Sequence, residues 1–455
     1  MRQPIPLPSG IVGLDDFPEL KESLVNLFRV ESGLLKSPGI TSFSTGNGAC
    51  RGAVTFADEA YMVSLGSFSK IAADGTFSNI AGGTVSGTTD CRFAQDYSVL
   101  VVQVAGGDAY VYDGTNFGLI NDADHVPSNE VVAINGRFVF VPSDGGPCFY
   151  TDVNGMTYAS RGTCIPAANF FDAELLPDKN IGAIVIKNDL YILGQETTEL
   201  FRDTGDTVAT FRRVDQGAVH TGYIAGKAYY KGTFAFLGRD REGMPDFFVM
   251  QPGRAEPISN PAIKEILSAY TETQLSAVTS MRYEWKDKEI IEWRLSDITL
   301  AYCAGNWVYR RSGFNDNYRA NHMTRAYDSY IVGDAVTTQI GRLADVNSEY
   351  TAPVERVIET FVRGEKGSHF IADSIELDCL TGTGTTEGTI SLQVSRDSQE
   401  FHQPVWRSLG RHGNRDQRVI WQGGIGQFES HMGIRLRTTD DVNFSTKAIH
   451  FTGSY

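Results

Sequence analysis

The sequence predicts an all-β fold: a six- or seven-bladed β-propeller followed by a C-terminal β-sandwich, with few short helices. Two features of the 455-residue chain predict this fold class. Between about residues 46 and 345 it falls into β-rich units of roughly 35 to 45 residues, separated by Gly, Asn and Asp turn residues. From about residue 350 these units stop, and alternating apolar and polar positions continue to the end.

The predicted blades consist of short strands joined by tight turns. In DAYVYDGTNFGLI (108–120), Tyr110 and Tyr112 alternate with Val111, and Asp113-Gly114 supplies a hairpin turn. Short strands in repeats of this length are typical of propeller blades, and an irregular array of β-sandwiches is the alternative. No single repeat motif is strict, so the sequence leaves six and seven blades both open.

One segment departs from the β pattern. In SNPAIKEILSAYTETQL (259–275), apolar residues recur at helical spacing, at Ile263, Ile266, Leu267 and Tyr270. An Asn-Pro pair precedes them, which suits a helix N-cap followed by proline at the first helical position. We therefore expect a helical insertion near 260–275, between two blades.

Three domains are predicted. Residues 346–455 form a β-sandwich platform domain, in which strands such as HFIADSIELDCL (369–380) and GTISLQVSRD (388–397) alternate in polarity. Residues 46–345 form the propeller. Residues 1–45 do not resemble a blade, and we expect this N-terminal segment to pack on the C-terminal domain, which would make the propeller a large insertion.

The charge of the chain argues against a protein that grips nucleic acid. Its formal net charge is −15, from 40 Lys and Arg against 55 Asp and Glu. The last 106 residues carry 11 Lys and Arg against 13 Asp and Glu, a net of −2, so a net of −13 lies in the first 349 residues. Tight binding to phosphates needs clustered basic residues, which this distribution does not offer.

Cysteine spacing and terminal composition indicate a protein folded in a reducing compartment. The six cysteines are widely spaced, with no CxxC pair, and we expect buried free thiols; they are Cys50, Cys91, Cys148, Cys164, Cys303 and Cys379. The N-terminal MRQPIPLPSG lacks the apolar core of a signal peptide. The longest apolar run, YSVLVVQVAGG (97–107), is about half the length of a membrane-spanning helix. We expect no membrane span and folding in the cytoplasm.

No catalytic signature is present, so the sequence predicts neither an enzyme nor a cofactor or metal site. Walker A, HExxH and GxSxG motifs are all missing. SRDSQEFHQPVW (395–406) is similar to the Asp-box of sialidase-like propellers, but Gln399 replaces its glycine, and we interpret it as a turn. The alternative function is a propeller glycan hydrolase or lectin, which would draw on loop carboxylates such as Asp189, Asp203, Asp206, Asp215, Asp240 and Asp246.

Four segments, in order along almost the whole chain, resemble the packaged-DNA stabilisation proteins of short-tailed, P22-like bacteriophages, also called tail hub or nozzle proteins. They are LLKSPGI (34–40), AIKEILSAYTETQL (262–275), GFNDNYRANHM (313–323) and RVIWQGGIGQFESHMGIRLRTTDDVNFS (418–445). Each motif alone is moderately specific. The chain departs from the family at Gly423-Gly424 and Gln427, where relatives are expected to be more basic, and this argues against phosphate binding by that turn.

The resemblance implies a virion structural protein of the phage tail, made and assembled in the cytoplasm of the host bacterium. Its expected partners are further copies of itself in a homohexameric ring, a portal-adaptor ring, a tail needle or plug, and tailspikes or receptor-binding fibres. Double-stranded DNA would pass through the lumen without specific binding. An acidic lumen wall would repel phosphates and keep the passage non-adhesive, whereas a basic wall would retain DNA.

The stretch LGRHGNRDQRVIWQGG (409–424) concentrates positive charge in this acidic protein. We expect a loop, HGNRD, that leads into a strand, QRVIW, which Gly423-Gly424 end. Arg411, Arg415 and Arg418 are the candidate protein–protein interface residues, because the planar guanidinium group suits paired contacts with carboxylates. They would contact a neighbouring subunit or the adaptor, pair with carboxylates of their own domain such as Asp416, or contact DNA.

Overall fold

The structure is a computed structural model that describes residues 2–14, 17–173, 175–206, 209–214, 217–364, 369–384, 387–398, 400–442 and 444–454. Within these residues the chain forms seven four-stranded blades, two sandwich sheets and two helices. The predicted all-β propeller with a sandwich is confirmed, and of the two blade counts left open the structure has seven.

Blades 1 to 5 are separate antiparallel sheets, each built from four consecutive strands. Blade 1 comprises Cys50–Phe56, Glu59–Ser64, Ser67–Ile71 and Phe77–Asn79. Blade 2 comprises Cys91–Gln95, Leu100–Val104, Ala109–Tyr112 and Phe117–Leu119. Blade 3 comprises Ser128–Ile134, Arg137–Pro142, Cys148–Tyr150 and Phe170–Phe171. Blade 4 comprises Asn180–Ile186, Asp189–Gly194, Thr198–Asp203 and Phe211–Arg213, and blade 5 comprises Gly222–Tyr230, Thr233–Arg239, Pro245–Gln251 and Arg254–Pro257.

Blades 6 and 7 belong to larger sheets. Blade 6 comprises Thr279–Trp285, Lys288–Arg294, Thr299–Cys303 and Asn306–Ser312, and Asp316–Asn317 pairs with its outer strand. Blade 7 takes Ala320–Ala326, Ser329–Asp334 and Gln339–Ala344 from the end of the propeller and its outer strand, Gly39–Thr45, from the N-terminal segment. The short strands Ser348–Glu349 and Ala352–Pro353 continue this sheet. The propeller ring is therefore closed by a strand distant in sequence.

Neighbouring blades pack through their first strands, and blade 7 returns to blade 1. Across this closure the Thr55 and Thr324 hydroxyls lie 2.7 Å apart, and Thr55 Oγ1 donates to the Arg325 carbonyl at 2.8 Å. Side chains alternate between the two faces of each strand, so every blade buries apolar residues on both sides. In blade 2, Leu100 packs toward blade 1 and Val101 toward blade 3.

The sandwich consists of two sheets that both include N-terminal strands. One sheet comprises Leu27–Val30, Gly33–Lys36, Thr446–Ser454, Phe370–Cys379 and Val419–Phe428, with Arg2–Ile5 also paired to Thr446–Ser454. The other comprises Phe17–Val25, Arg356–Arg363, His431–Thr438, Thr389–Ser395 and Val405–Ser408, with Val12–Leu14 paired to Phe17–Val25. Val25 pairs in parallel with Tyr309, which joins the second sheet to blade 6.

The N-terminal segment thus contributes to both parts of the molecule. Its strands before residue 37 lie in the sandwich sheets, whereas Gly39–Thr45 completes blade 7. Because sandwich strands both precede and follow the propeller in the chain, the propeller is inserted into the sandwich. The propeller strands therefore form one continuous stretch from residue 39 to residue 353, whereas the sandwich is assembled from strands on both sides of that stretch.

The insertion between blades 5 and 6 contains the helices Pro261–Ser268 and Glu272–Ser276. The Asn260 side chain accepts a hydrogen bond from the Ile263 amide at 3.0 Å, as an N-cap does. Ile263 and Leu267 are fully buried against blades 5 and 6. No helix among the described residues is long and apolar enough to cross a membrane.

Candidate protein–protein interface

The three predicted interface arginines lie on one side of the sandwich, where the edge strands of its two sheets are next to each other. Val405–Ser408 is the last strand of one sheet, Val419–Phe428 is the last strand of the other, and the loop 409–418 joins them. Trp421 Nε1 donates to the Val405 carbonyl at 2.7 Å and Arg407 Nε donates to the Ile420 carbonyl at 2.9 Å. We call these two strands and their loop the sandwich edge.

The strand Val419–Phe428 forms for the predicted reason but does not end where predicted. Val419 and Trp421 are buried while Ile420 between them is partly exposed. Gly423 and Gly424 do not end the strand; they adopt φ of 108° and 82° and bulge outward. On either side of this bulge, Ser374 of the paired strand Phe370–Cys379 pairs with Gln422, and Ala372 pairs with Gly426. A step of two residues on the paired strand therefore corresponds to a step of four on this strand. A bulge on an edge strand obstructs the addition of another strand, so side chains dominate this surface.

Two of the predicted arginines pair within their own domain. Arg411 Nε lies 3.3 Å from Glu387 Oε2, with 85% of the arginine side chain exposed. Arg418 Nη2 lies 2.8 Å from Glu376 Oε1, and Arg2 Nη2 lies 3.0 Å from the other oxygen of that carboxylate. Exposed ion pairs contribute little to folding stability, so these guanidinium groups can exchange partners on contact with another protein.

Arg415 differs from its two neighbours. Its carbonyl accepts a hydrogen bond from Thr381 Oγ1 at 3.0 Å, which fixes the loop backbone. Its guanidinium group is exposed and has no ion pair with any residue that the structure describes. The carboxylates that pair with Arg411 and Arg418 are Glu387 and Glu376, and not Asp416 as the sequence interpretation suggested.

The structure adds two apolar residues to this surface that sequence reasoning missed. Val405 and Trp406 are 49% and 50% exposed, and they are consecutive on the outermost strand. An alternating apolar strand normally buries one of two neighbours. The Val-Trp pair was therefore a signal of an exposed edge, although the sequence alone did not show which strand ends the sheet.

The carboxylates considered for glycan hydrolysis serve in turns and ion pairs. Asp189 pairs with Arg202 at 2.6 Å, Asp206 with Arg212 at 3.1 Å, and the buried Asp246 with Lys264 at 2.9 Å. Asp203 accepts from the Gly205 amide, and Asp240 from the amides of Glu242 and Met244. Asp215 lies outside the described residues. No group of His, Cys, Asp and Glu suited to a metal ion occurs among the described residues.

The Asp-box-like segment is a turn at the end of a sandwich strand. Ser395 Oγ donates to Asp397 Oδ1 at 2.8 Å, and the same carboxylate oxygen accepts from the Glu400 amide at 2.9 Å. Gln399, the position of the expected glycine, lies outside the described residues. These bonds are those of a side-chain-stabilised turn.

A polar pocket of about 330 Å³ lies among the first strands of the blades, at the centre of the propeller. In this pocket the Glu130 carboxylate accepts a hydrogen bond from Lys227 Nζ, and Arg92 Nε lies 4.0 Å from the same carboxylate. His322 Nε2 lies 3.1 Å from Asp90. Burial alone would raise the pKa of Asp90, but the His322 hydrogen bond and nearby arginines hold it below its ordinary value. The charges of this pocket are paired within the chain.

A second polar cluster lies at the seam between the propeller and the sandwich. Arg310 and Glu292 pair at 2.7 Å, both with fully buried side chains. Arg310 Nη1 also donates to the side chains of Asn26 and Ser37, each at 2.6 Å. Beside it a cleft of about 770 Å³ opens between the helical insertion and the sandwich, where further Glu–Arg pairs line the wall. One buried cation therefore holds the N-terminal segment against blade 6.

Comparisons with known proteins match both parts of the chain to one family. The family described as bacteriophage P22 Gp10, beta-propeller, matches residues 14–348, and its beta-sandwich counterpart matches residues 355–453. The tail hub protein gp10 of Salmonella phage P22 is 23% identical over 436 residues, covering 89% of this chain and 88% of the relative.

Several solved propellers are similar only at a low level. BamB from Moraxella catarrhalis has a TM-score of 0.40 at 11% identity, over 76% of this chain and 98% of its own. The Pan2 WD40 domain of Neurospora crassa has a TM-score of 0.42 at 8% identity, over 68% and 97% of the two chains. No conclusion about function follows from likenesses of this size.

A propeller inserted into a sandwich, with both parts matched by one phage family, defines a virion structural protein of a phage tail. The chain belongs to the bacteriophage P22 Gp10 family, across residues 14–348 and 355–453. The family resemblance predicted from the four sequence segments is confirmed. Its partners are accordingly those of virion assembly.

Proposed function

We propose that the protein is the tail hub, or nozzle, of its virion: a ring of six copies that extends the portal–adaptor channel. In this role it helps to close the channel on packaged DNA, holds the needle or plug, carries tailspikes or fibres, and lets DNA pass during ejection. The observation that supports the proposal most is the match to one tail-hub family across both domains.

We propose further that Arg411, Arg415 and Arg418 contact another protein of the tail. Their exposure and the adjacent Val405 and Trp406 give an apolar patch with a charged rim, the usual composition of a protein interface. Reversing Arg415 and Arg418 to Glu is expected to impair incorporation of the protein into a reconstituted portal–adaptor assembly, measured by mass photometry. Unchanged incorporation would instead assign these arginines to pairing within the domain.

The sandwich is proposed to carry the assembly contact as a whole. Deleting residues 346–455 is expected to abolish incorporation into the ring, since it removes the sandwich edge together with three of the six strands of one sandwich sheet and four of the six of the other. Recovery of filled, sealed particles with the truncated protein would contradict this. A folded truncated propeller must first be verified by its circular dichroism spectrum.

The passage of DNA is proposed to depend on the lumen of the ring and not on the centre of each propeller. The central pocket of only about 330 Å³ is lined by the paired side chains of Glu130, Lys227 and Arg92. Acidic residues that face the lumen would repel the phosphates and prevent retention of DNA. A positive lumen potential in a ring reconstruction would contradict this part of the proposal.

We propose that the role is not enzymatic. The candidate carboxylates pair with cations or accept backbone amides at turns, as described above for Asp189, Asp206, Asp240 and Asp246. The isolated protein is expected to release no reducing sugar from host surface polysaccharide. Release that disappears on replacing one of these carboxylates by Ala would support the hydrolase alternative.

A further inference from the structure

The sandwich edge and the propeller loops farthest from it carry opposite charge. We propose that the sandwich edge docks on an acidic face of blades 2 and 3 in a second copy of this chain. This proposal rests on the ring proposed above and assigns the two surfaces that meet in it. The acidic face comprises loops 105–108, 120–127, 143–147 and 172–179, apart from residue 174.

In an antiparallel four-stranded blade, the loops after the second and the fourth strand lie on the same side. Loops 105–108 and 143–147 follow the second strands of blades 2 and 3, and loops 120–127 and 172–179 follow their fourth strands. All four loops therefore lie on one side of the propeller. They contain six aspartates, namely Asp108, Asp122, Asp124, Asp144, Asp172 and Asp178. Lys179 is the single Lys or Arg among their described residues. Burial lowers the pKa of the His125 imidazole, so it adds no positive charge at neutral pH.

The aspartates of the acidic face lack a cationic partner within the described part of the chain, although Asp108, Asp122, Asp144 and Asp178 accept hydrogen bonds there. None of the six forms an ion pair with a residue that the structure describes, although basic residues pair with carboxylates elsewhere on the propeller. The carboxylates of Asp124 and Asp172 also make no hydrogen bond within the described part of the chain. An unpaired guanidinium at Arg415 and two exposed, exchangeable ones at Arg411 and Arg418 complement them.

Each surface also has an apolar centre. Val126 and Leu175 are both 40% exposed among the aspartates. Val405 and Trp406 are 49% and 50% exposed beside the arginines. Tryptophan and arginine are enriched among the residues that contribute most of the binding energy of an interface. Burial of apolar side chains also supplies affinity that charges alone do not.

The two surfaces lie on opposite sides of the molecule. The sandwich is joined to blades 6 and 7, through Val25 on the outer strand of blade 6 and through Gly39–Thr45 in blade 7. In a closed ring of seven blades, blade 3 is opposite the junction of blades 6 and 7. One chain cannot bring its own two surfaces together, so their contact is heterologous, of the kind that closes rings.

Because the whole chain is negatively charged, a second copy can bind only where surface patches of complementary charge meet. Two monomers of formal charge −15 repel each other, but salt screens that repulsion over about 10 Å at 0.1 M ionic strength. Charges in direct contact inside a partly buried interface are screened much less. Association at this ionic strength is therefore governed by which local surfaces meet.

A charge-swap experiment tests the contact. The first variant carries Asp124→Lys with Asp172→Lys, and the second carries Arg411→Glu with Arg415→Glu. Self-association of each full-length protein is measured by sedimentation velocity at about 0.1 M salt. Each variant alone is expected to associate about tenfold more weakly than the wild type or worse. An equimolar mixture is expected to recover association, because each reversed surface then faces a reversed partner.

The control variant carries Arg212→Glu with Arg254→Glu, which changes the net charge as the second variant does but lies outside both surfaces; their side chains are 61% and 73% exposed. It is expected to associate like the wild type. A mixture that behaves as the sum of its parts, or a wild type that stays monomeric under the same conditions, would overturn the proposal. Loss of binding to the adaptor ring in the second variant, not restored by the first, would assign the edge to the adaptor and overturn it too.

The result is separable from the tail-hub role. Rescue in the mixture, without incorporation of the wild type into a portal–adaptor assembly, would support the contact and contradict the proposed function. Incorporation of the wild type without rescue in the mixture would support the function and contradict the contact.

Discussion

Arg310 is the residue on which the joint between the two domains depends most. Its guanidinium is fully buried and forms an ion pair with Glu292 of blade 6. It donates hydrogen bonds to the side chains of Asn26 and Ser37 in the N-terminal segment. It also stacks on Tyr318, with 4.1 Å between its Cζ and the ring centroid. A buried ion pair adds little net stability when complete, but its loss leaves an uncompensated charge inside the protein. The polar seam thus specifies how the N-terminal segment is placed.

Replacing Arg310 by Met is expected to lower the free energy of unfolding by about 3–5 kcal/mol, because Glu292 is left buried without its cation. Thermal or urea unfolding followed by tryptophan fluorescence measures the loss. Arg202→Met, which breaks the exposed pair with Asp189, is the control and should cost less than about 1 kcal/mol. The double replacement of Arg310 and Glu292 by Met should recover part of the loss; no recovery would contradict this explanation.

The thiols give a second test at this scale. The expected free cysteines are observed: all six are unpaired, and five of them are buried. Burial raises the pKa of the Cys91 and Cys303 thiols to about 11, and nearby charges shift it less. The thiolate is the reactive form, so at pH 8 the native protein should react with Ellman's reagent far more slowly than the six thiols released in denaturant. Rapid reaction of several thiols in the native state would be inconsistent with this packing.

Individual strands and helices were largely readable from the sequence, and their pairing was not. The hairpin at Asp113-Gly114 and the helix capped by Asn260 carry their signals within a few residues. The outer strand of blade 7 comes from residues 39–45, and its partner Gln339–Ala344 lies about 300 positions away. Nothing in either segment alone indicates the other. The exposed edge at Trp406 was hidden for the same reason, because the order of strands in a sheet is a long-range property.

Asn260 links the helical insertion to the N-terminal segment. Its Oδ1 caps the helix, and its Nδ2 donates to the Ile11 carbonyl at 2.7 Å. Asn260→Ala is expected to lose both bonds and to cost about 1–2 kcal/mol. Asn260→Asp retains the cap and loses only the donor, so its melting temperature should lie between those of the wild type and the Ala variant. Equal melting temperatures for the two variants would show that the cap contributes nothing.

The strand Gly39–Thr45 is expected to determine whether the propeller holds together. Two fragments, 39–353 and 46–353, expose the same surface toward the missing sandwich and differ only in this strand. The longer fragment should melt cooperatively and at a higher temperature, since it pairs the outer edge of blade 7 and buries Ile40. Identical melting of both fragments by circular dichroism would contradict a role for the strand in ring closure.

At the scale of the whole molecule, the propeller and the sandwich are interlocked parts of one unit. The chain starts in the sandwich, closes blade 7, runs round the propeller, and returns to the sandwich, with Arg310 at the crossing point. The sequence predicted a propeller inserted into the sandwich and, from four segments, the resemblance to a phage tail family, because repeat length and motif order are properties of the chain itself. It placed all of residues 1–45 on the C-terminal domain, and so did not predict that Gly39–Thr45 closes blade 7. The sequence did not indicate that the acidic face and the sandwich edge lie far apart, because their positions follow from the arrangement of the seven blades.

Electron microscopy of the protein bound to its portal–adaptor assembly tests the proposed tail-hub role most directly. We expect a closed ring of six copies below the adaptor, with the sandwich edge of each copy on blades 2 and 3 of the next. A single propeller bound at the periphery, or a ring absent from the channel axis, would contradict the tail-hub role.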